Sequence, residues 1–161
     1  MGAHCGHDHA GNGLAEAEAR RALTAAEAAC AADGERMTAP RRRVLDLLLR
    51  AGEPMKAYDL IARFGQDGQA AKPPTVYRAL EFLERRGLAH RIASISAYVA
   101  CSHGADDHAA AFLICDCCGS AREIAAPLGE GLRQAAEGVG YAIERTTIEA
   151  HGRCPECRVP A

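Results

Sequence analysis

The chain has 161 residues, of which 48% are hydrophobic and 25% charged, with a formal net charge of −2 and 8 cysteines. That length accommodates one ordinary domain or two small ones, the smaller needing a metal or a partner to supplement a thin core. No stretch approaches the roughly 18 uncharged apolar residues of a membrane span, and Met1–Gly13 lacks the basic-then-apolar order of a signal peptide.

A cytoplasmic location is therefore expected, where cysteines stay reduced and read as metal ligands rather than as disulfides. The near-zero net charge conceals a split. Residues 36–100 carry 12 Lys/Arg against 6 Asp/Glu, whereas residues 1–35 and 101–161 each sum to −4. The middle of the chain is thus an electropositive segment suited to a polyanion.

In chain order, Met1–Gly13 sets His4, Cys5, His7 and His9 among glycines and reads as a flexible tail, too costly to order for a well-built metal site. Leu14–Ala31, rich in alanine, predicts a helix broken near Asp33-Gly34, with Cys30 a packed core thiol. Thr38 is placed to cap a second helix, with Pro40 tolerated in its first turn and Val44, Leu45, Leu48 and Leu49 on its apolar face. Gly52-Glu53-Pro54 ends it. A short helix around Ala57–Phe64, buried through Leu60 and Ile61, and a polar loop at Gly65–Ala71 follow.

Pro73 and Pro74 fix the entrance to a third helix, Thr75–Arg86. Val76, Ala79, Leu80 and Leu83 fall on one face by the 3.6-residue period, and Arg78, Glu81 and Arg85 centre on the other, flanked by Tyr77. Such a face suits a major groove, where an arginine forks to a guanine edge or a phosphate and a ring meets a thymine methyl. Leu88–Ala93 and Ala97–Cys101 read as two short strands with a turn near Ser94–Ser96. Three helices and a two-stranded hairpin, in that order, describe a winged helix-turn-helix module, coincident here with the basic segment. Arg42 and Arg43 are placed to meet phosphates.

Ser102–Asp107 reads as a linker. Beyond it, strands are expected at Ala111–Ile114 and Arg122–Ala125, a helix at Pro127–Gly138 with Leu128, Leu132 and Ala135 or Ala136 on one face, and a strand at Tyr141–Glu149 running into Ala150-His151-Gly152. So small a unit has too little core to stand alone and fits a dimerisation domain completed by a symmetry mate.

Two Cys-x-x-Cys pairs, Cys115/Cys118 and Cys154/Cys157, lie thirty-five residues apart beside turn residues. They match a tetrahedral structural zinc with four thiolates and no open position. Cys117 competes by Cys-x-Cys geometry, but the spacing and Gly119 favour the 115/118 pair. A second set consists of His90 and Cys101 on the two wing strands, His108 after the linker, and Glu123 beyond the first knuckle. Its thiolate and carboxylate neutralise a divalent ion, and the thiolate favours zinc over iron(II) or manganese. Four protein ligands leave no site for the activated water of a zinc hydrolase. Thr75–Arg86 and the charge partition argue against a simple zinc store.

The chain resembles the ferric uptake regulator family, and within it the zinc uptake regulator branch, from about Glu16 to Cys157. Thr75-Val76-Tyr77-Arg78, Cys101, His108, Phe112–Gly119 and Glu149–Cys157 carry the resemblance, with Lys72-Pro73-Pro74 closer to the zinc branch than to the iron branch. The resemblance implies a cytoplasmic repressor that is not an enzyme and binds no small organic substrate. It implies a homodimer that binds a palindromic double-stranded operator when zinc is plentiful and silences zinc-uptake genes. It assigns structural zinc to Cys115, Cys118, Cys154 and Cys157 and regulatory zinc to His90, Cys101, His108 and Glu123, two ions per chain. Tyr77 and Arg78 match residues that meet bases, with Thr75 and Lys72 in the same DNA-facing segment. The segment Gly104–His108 lacks the dense histidine cluster of iron-sensing members, and Cys101 is unlike the oxygen/nitrogen ligands of peroxide sensors, which weakens the alternative of an iron- or peroxide-responsive repressor; His103, Asp106 and His151 would contribute only to a weak third site.

The expected fold is therefore α/β: a tail over residues 1–13, a winged helix-turn-helix DNA-binding domain over 14–101, a hinge over 102–110, and a small α/β dimerisation and metal-binding domain over 111–161.

Overall fold

Helix spacing and turn residues build the first half of the chain. The computed structural model describes residues 13–65, 72–102, 110–125, 129–144 and 146–158, which fall into two compact units, one within Ala10–Ala105 and one within Asp106–Ala161. The expected tail, with His4, Cys5, His7 and His9, and the linker residues His103, Asp106 and His108 lie outside the described residues.

In the first unit α1 spans Glu16–Ala32 and buries Ala19, Leu23, Ala26 and Cys30 at helical spacing. The predicted core thiol is thus in place. Helix α2, Ala39–Ala51, starts after Thr38 and ends where Gly52 takes a left-handed φ of 61°, a conformation that costs glycine no Cβ clash. Thr38 occupies the N-cap position, although its side chain makes no capping bond. Helix α3, Ala57–Gly65, buries Leu60 and Phe64, so the residue one turn after Leu60 fills the core, whereas the expected Ile61 is only half-buried. Helix α4, Pro73–Arg85, begins two residues earlier than predicted because both prolines sit inside its first turn, where no backbone N–H is needed.

The hairpin consists of β2, Ala89–Ile92, and β3, Ala97–Ala100, joined by a 3-10 turn at Ala93–Ile95. A two-residue strand β1, Met55–Lys56, pairs with β3 on its other side and makes the order β1-β3-β2, all antiparallel. Nothing in two residues carries a period, so β1 was invisible in the sequence. Val44, Leu48, Leu60, Val76, Leu80 and Phe82 meet in one core beneath these elements. This is the helical, winged arrangement that the sequence predicts.

The second unit is a mixed sheet of order β5-β4-β6, with β4 at Ala110–Cys115, β5 at Ala121–Ala125 and β6 at Thr147–Gly152. Strand β4 is antiparallel to β5 and parallel to β6. The predicted strand at Tyr141–Glu149 is corrected: Tyr141 is exposed and outside any strand, and the strand begins at Thr147 and includes Ala150-His151-Gly152. The parallel partner decides this, because pairing with Ala110–Cys115 requires Thr147–Gly152 in register. Helix α5, Gly129–Gly138, has no buried side chain among its described residues, and Leu132 is half-exposed. Leu128 lies outside the described residues. No helix of the described residues is long and apolar enough to cross a membrane.

Candidate metal centres and DNA-facing helix

The parallel pairing of β4 with β6 builds the first centre. Cys115 lies opposite Gly152, so both strands deliver their C-terminal ends to the same edge of the sheet, and each runs on into a cysteine turn. The Asp116 N–H donates to the Gly152 carbonyl at 2.8 Å and ties the turns together. In the first turn the Gly119 N–H donates to the Cys115 carbonyl at 2.9 Å, and Gly119 adopts φ +74°, where a Cβ would be strained. In the second, the Cys157 N–H donates to the Cys154 carbonyl at 3.0 Å.

As a result the sulfur atoms of Cys115, Cys118, Cys154 and Cys157 all lie within 4.8 Å of one another, with Cys118 Sγ and Cys154 Sγ 3.8 Å apart. Cys115 and Cys157 are buried. Burial pushes the Cys115 thiol up, but the backbone N–H groups of Cys118, Cys154 and Cys117 more than reverse this and bring it to about 6. Burial pushes the Cys157 thiol up, and its thiol neighbours, the Cys115 charge among them, push it further. Four convergent sulfurs, one of them already favouring the thiolate, fit a tetrahedral soft-metal site. All four predicted ligands are brought together. Cys117, which competed by spacing, is not among the four convergent sulfurs.

The second set begins on the wing. His90 faces Val99 across the hairpin, and the Cys101 N–H donates to the Leu88 carbonyl at 3.0 Å. That register makes His90 and Cys101 diagonal neighbours on one face of the ladder, with ligand atoms within 4.8 Å of each other and both side chains half-buried. In the second unit Glu123 lies on β5 opposite Phe112 and is half-buried. The imidazole and thiol on the wing are a borderline donor pair appropriate to zinc.

Helix α4 turns Val76, Ala79, Leu80, Phe82 and Leu83 into the core. It leaves Lys72, Tyr77, Arg78, Glu81 and Arg85 exposed, and Thr75 half-exposed. Arg78 and Lys72 make no ion pair among the described residues. Arg42, in contrast, pairs with Glu27 at 2.6 Å, and Arg43 with Asp46 at 3.5 Å. Tyr58 on α3, 67% exposed, is an outward-facing aromatic not expected from the sequence. The signal was there: a helix that buries residues 60 and 64 turns residue 58 outward. Phe82 was also missed as a core residue, because it lies at the border between the apolar face and the charged one.

The ferric uptake regulator family model matches residues 32–151. The zinc uptake regulation protein of Escherichia coli (strain K12) is 40% identical over 138 residues, covering 84% of this chain and 80% of that protein. Among solved structures, a zinc uptake regulator complexed with zinc and DNA is 38% identical with a TM-score of 0.78, covering 86% of this chain and 94% of that one. Holo XcZur is 41% identical with a TM-score of 0.74, covering 84% and 95%. The chain belongs to the ferric uptake regulator family, DNA-binding transcription regulators rather than enzymes. Within that family it falls in the zinc uptake regulator branch.

Proposed function

We propose that this chain is a zinc-dependent transcriptional repressor of zinc-uptake genes that binds palindromic operator DNA as a homodimer when regulatory zinc is bound. The observation that carries this reading is the convergence of His90 and Cys101 on the wing that follows the recognition helix. Metal ligands are thereby part of the DNA-binding unit itself. The reading rests also on the similarity to a zinc uptake regulator complexed with zinc and DNA.

The regulatory ligands are His90, Cys101, His108 and Glu123, in which one thiolate and one carboxylate balance the ion's charge. The structural ligands are Cys115, Cys118, Cys154 and Cys157, giving two zinc ions per chain. Zinc supplies folding free energy at the all-cysteine site and a conformational restraint at the mixed one, not reaction chemistry. The hinge at 102–110 separates the DNA-binding domain of 14–101 from the dimerisation domain of 111–161.

Tyr77 and Arg78 read base edges, and Thr75 and Lys72 hold the start of α4 against the backbone. Arg42 and Arg43 reach phosphates by exchanging their carboxylate partners for them. Dimerisation is supported by α5, whose described residues bury no side chain within the unit, and by the nearby exposure of Leu132, Val139 and Tyr141. Such an apolar set is ordinarily covered by a partner.

The test is a DNA-binding titration at buffered free zinc, with metal analysis of the same samples. DNA affinity that rises as a second zinc per chain is taken up supports the reading; DNA affinity indifferent to free zinc overturns it.

A further inference from the structure

The C-terminal end of α4 is tied down by charge as well as by the core. The turn between α1 and α2 folds back on itself, with the Glu35 N–H donating to the Cys30 carbonyl at 2.8 Å and Gly34 at φ +72°. Asp33 and Glu35 are thereby presented to the residue that ends α4. Arg86 donates from its guanidinium to Asp33, 53 positions away in sequence, and holds its Nε 3.8 Å from the Glu35 carboxylate. Its side chain is only 19% exposed. Arg85 approaches the other oxygen of Glu35 at 3.8 Å. From the same turn the Arg36 carbonyl accepts a bond from Arg41 at 2.6 Å, and Arg41 stacks on the Phe82 ring of α4, 3.6 Å from its centroid.

Resting on the reading of α4 as the DNA-reading helix, we propose that Arg86 is a positioning residue for operator recognition: hydrogen-bonded to Asp33, with the Glu35 carboxylate close enough to add charge attraction but no hydrogen bond, it fixes the direction in which α4 presents Tyr77 and Arg78 to the bases.

Two physical arguments support this role. First, apolar burial is non-directional and leaves a helix some freedom to tilt on its core, whereas charge-assisted hydrogen bonds are short and directional. The tie sits at one end of α4 and the reading residues near the other. At about 1.5 Å per residue the lever from Arg86 to Tyr77 is about 13 Å, so a tilt of about ten degrees moves the reading end by about 2 Å. A bidentate arginine–guanine contact does not survive that displacement.

Secondly, α1 has no basic residue in its last turn, and Asp33 adds a negative charge at the negative end of its dipole. Arg86 provides the missing cation from another helix. The acidic turn is therefore stabilised by its contact with α4, and the two helix ends hold each other. Since Arg85 and Arg41 are drawn into the same cluster, three arginines of the electropositive segment are engaged within the unit at this end of α4. The exposed reading face depends on Lys72 and Arg78.

The test uses the full-length zinc-loaded protein. Two duplexes serve as probes: one enriched by the wild type from a random-sequence library, and one scrambled version of the same composition. Arg86→Met, and Asp33→Asn combined with Glu35→Gln, are each expected to lower affinity for the enriched duplex about tenfold while leaving the scrambled duplex within about twofold. Zinc content should be unchanged. Arg86→Lys, which retains the charge, should recover most of the loss.

Equal losses on the two duplexes, or no loss on either, overturn the proposal, because a brace that merely stabilises the fold has no reason to favour one sequence. If Arg86→Met fails to fold by circular dichroism, the carboxamide double variant decides, since it keeps the size of both side chains. Failure of the wild type to enrich any sequence is a different result and overturns the functional reading itself.

Discussion

The Nδ1 atom of His151 lies 2.9 Å from Oδ1 of Asp116, a pair that spans from the strand preceding the second cysteine turn to the first turn itself. Because β4 and β6 run parallel, these residues are neighbours although 35 positions separate them. Neither is a ligand of the four-sulfur cluster, and both are more than a third exposed, so solvent screens the pair. Its effect is geometric: it limits how far the two turns can splay. His151→Ala should leave the Asp116–Gly152 backbone bond and the four thiols intact but speed the loss of structural zinc to a chelator about threefold, below the usual effect of residues supporting metal ligands. A chelation rate equal to that of the wild type would show that the strap plays no part in metal retention.

Proton release on zinc binding reports the state of the cluster before metal arrives. With Cys115 brought down to about 6, its folded-state value lies below that of an ordinary thiol, so its thiolate is present above that point and lost as the pH falls through it. Zinc added to stripped protein at pH 7.5 should therefore release fewer protons from this site than its four sulfurs would give as neutral thiols. The number should rise as the starting pH is lowered toward about 5. Calorimetry in buffers of different ionisation enthalpy measures it. A pH-independent release would mean that the backbone N–H groups around Cys115 do not favour its thiolate.

Removing a wing ligand and removing a sulfur of the cluster should have different consequences. His90→Ala leaves the four sulfurs untouched and should abolish the response of DNA binding to zinc, with about one zinc fewer per chain and unchanged circular dichroism. Cys118→Ser should lose the structural ion and, with it, the ordered second unit, because metal binding there is folding free energy. If His90→Ala retained a full zinc response, the wing would not be the site of regulation.

The readable parts of this chain were those in which chemistry repeats at a fixed interval. The paired cysteines specified their own cluster, and the apolar period of α4 specified both its buried face and, by exclusion, Tyr77 and Arg78 on the outside. His90 and Cys101 were recognisable because two short strands joined by a tight turn must bring them near each other. The failures share a cause: local pattern without its long-range partner. Tyr141–Glu149 alternates like a strand, yet pairing with Ala110–Cys115 selects Thr147–Gly152. Strand β1 exists only because β3 accepts it. The contact of Asp33 and Glu35 with Arg86 was equally hidden, since acidic residues after a helix ordinarily remain solvated and nothing local names a partner so far along the chain.

Phe82 provides a test of how the core and the cationic cluster combine. Its ring is 2% exposed, and both Arg41 and Arg85 lie against it, at 3.6 and 5.5 Å from its centroid. Phe82→Ala should cost about 3–5 kcal/mol through the lost burial and the cavity left behind. Arg41→Met should cost about 0.5–1 kcal/mol, the scale of a partly exposed cation–π contact. Denaturant unfolding of the zinc-loaded variants measures both. An additive double variant would show that Arg41 does not depend on the ring.

Arg78 and Arg42 test how the arginines divide their labour. Arg78 is exposed on α4 and makes no ion pair among the described residues, so its guanidinium is available to a base edge. Arg78→Ala should therefore cost about 1–3 kcal/mol on the enriched duplex and much less on scrambled DNA. Arg42 is already held by Glu27 at 2.6 Å. To meet a phosphate it must give up one anion for another, and only the difference contributes to affinity. Arg42→Ala should weaken all DNA equally, by no more than about threefold, and reduce the salt dependence of binding by less than the roughly one counterion expected of an unengaged lysine or arginine. Glu27→Gln separates the two contributions: by releasing Arg42 it should strengthen scrambled and enriched DNA alike and steepen the salt dependence. An unchanged salt slope in Glu27→Gln would mean that Arg42 stays within the unit and makes no phosphate contact.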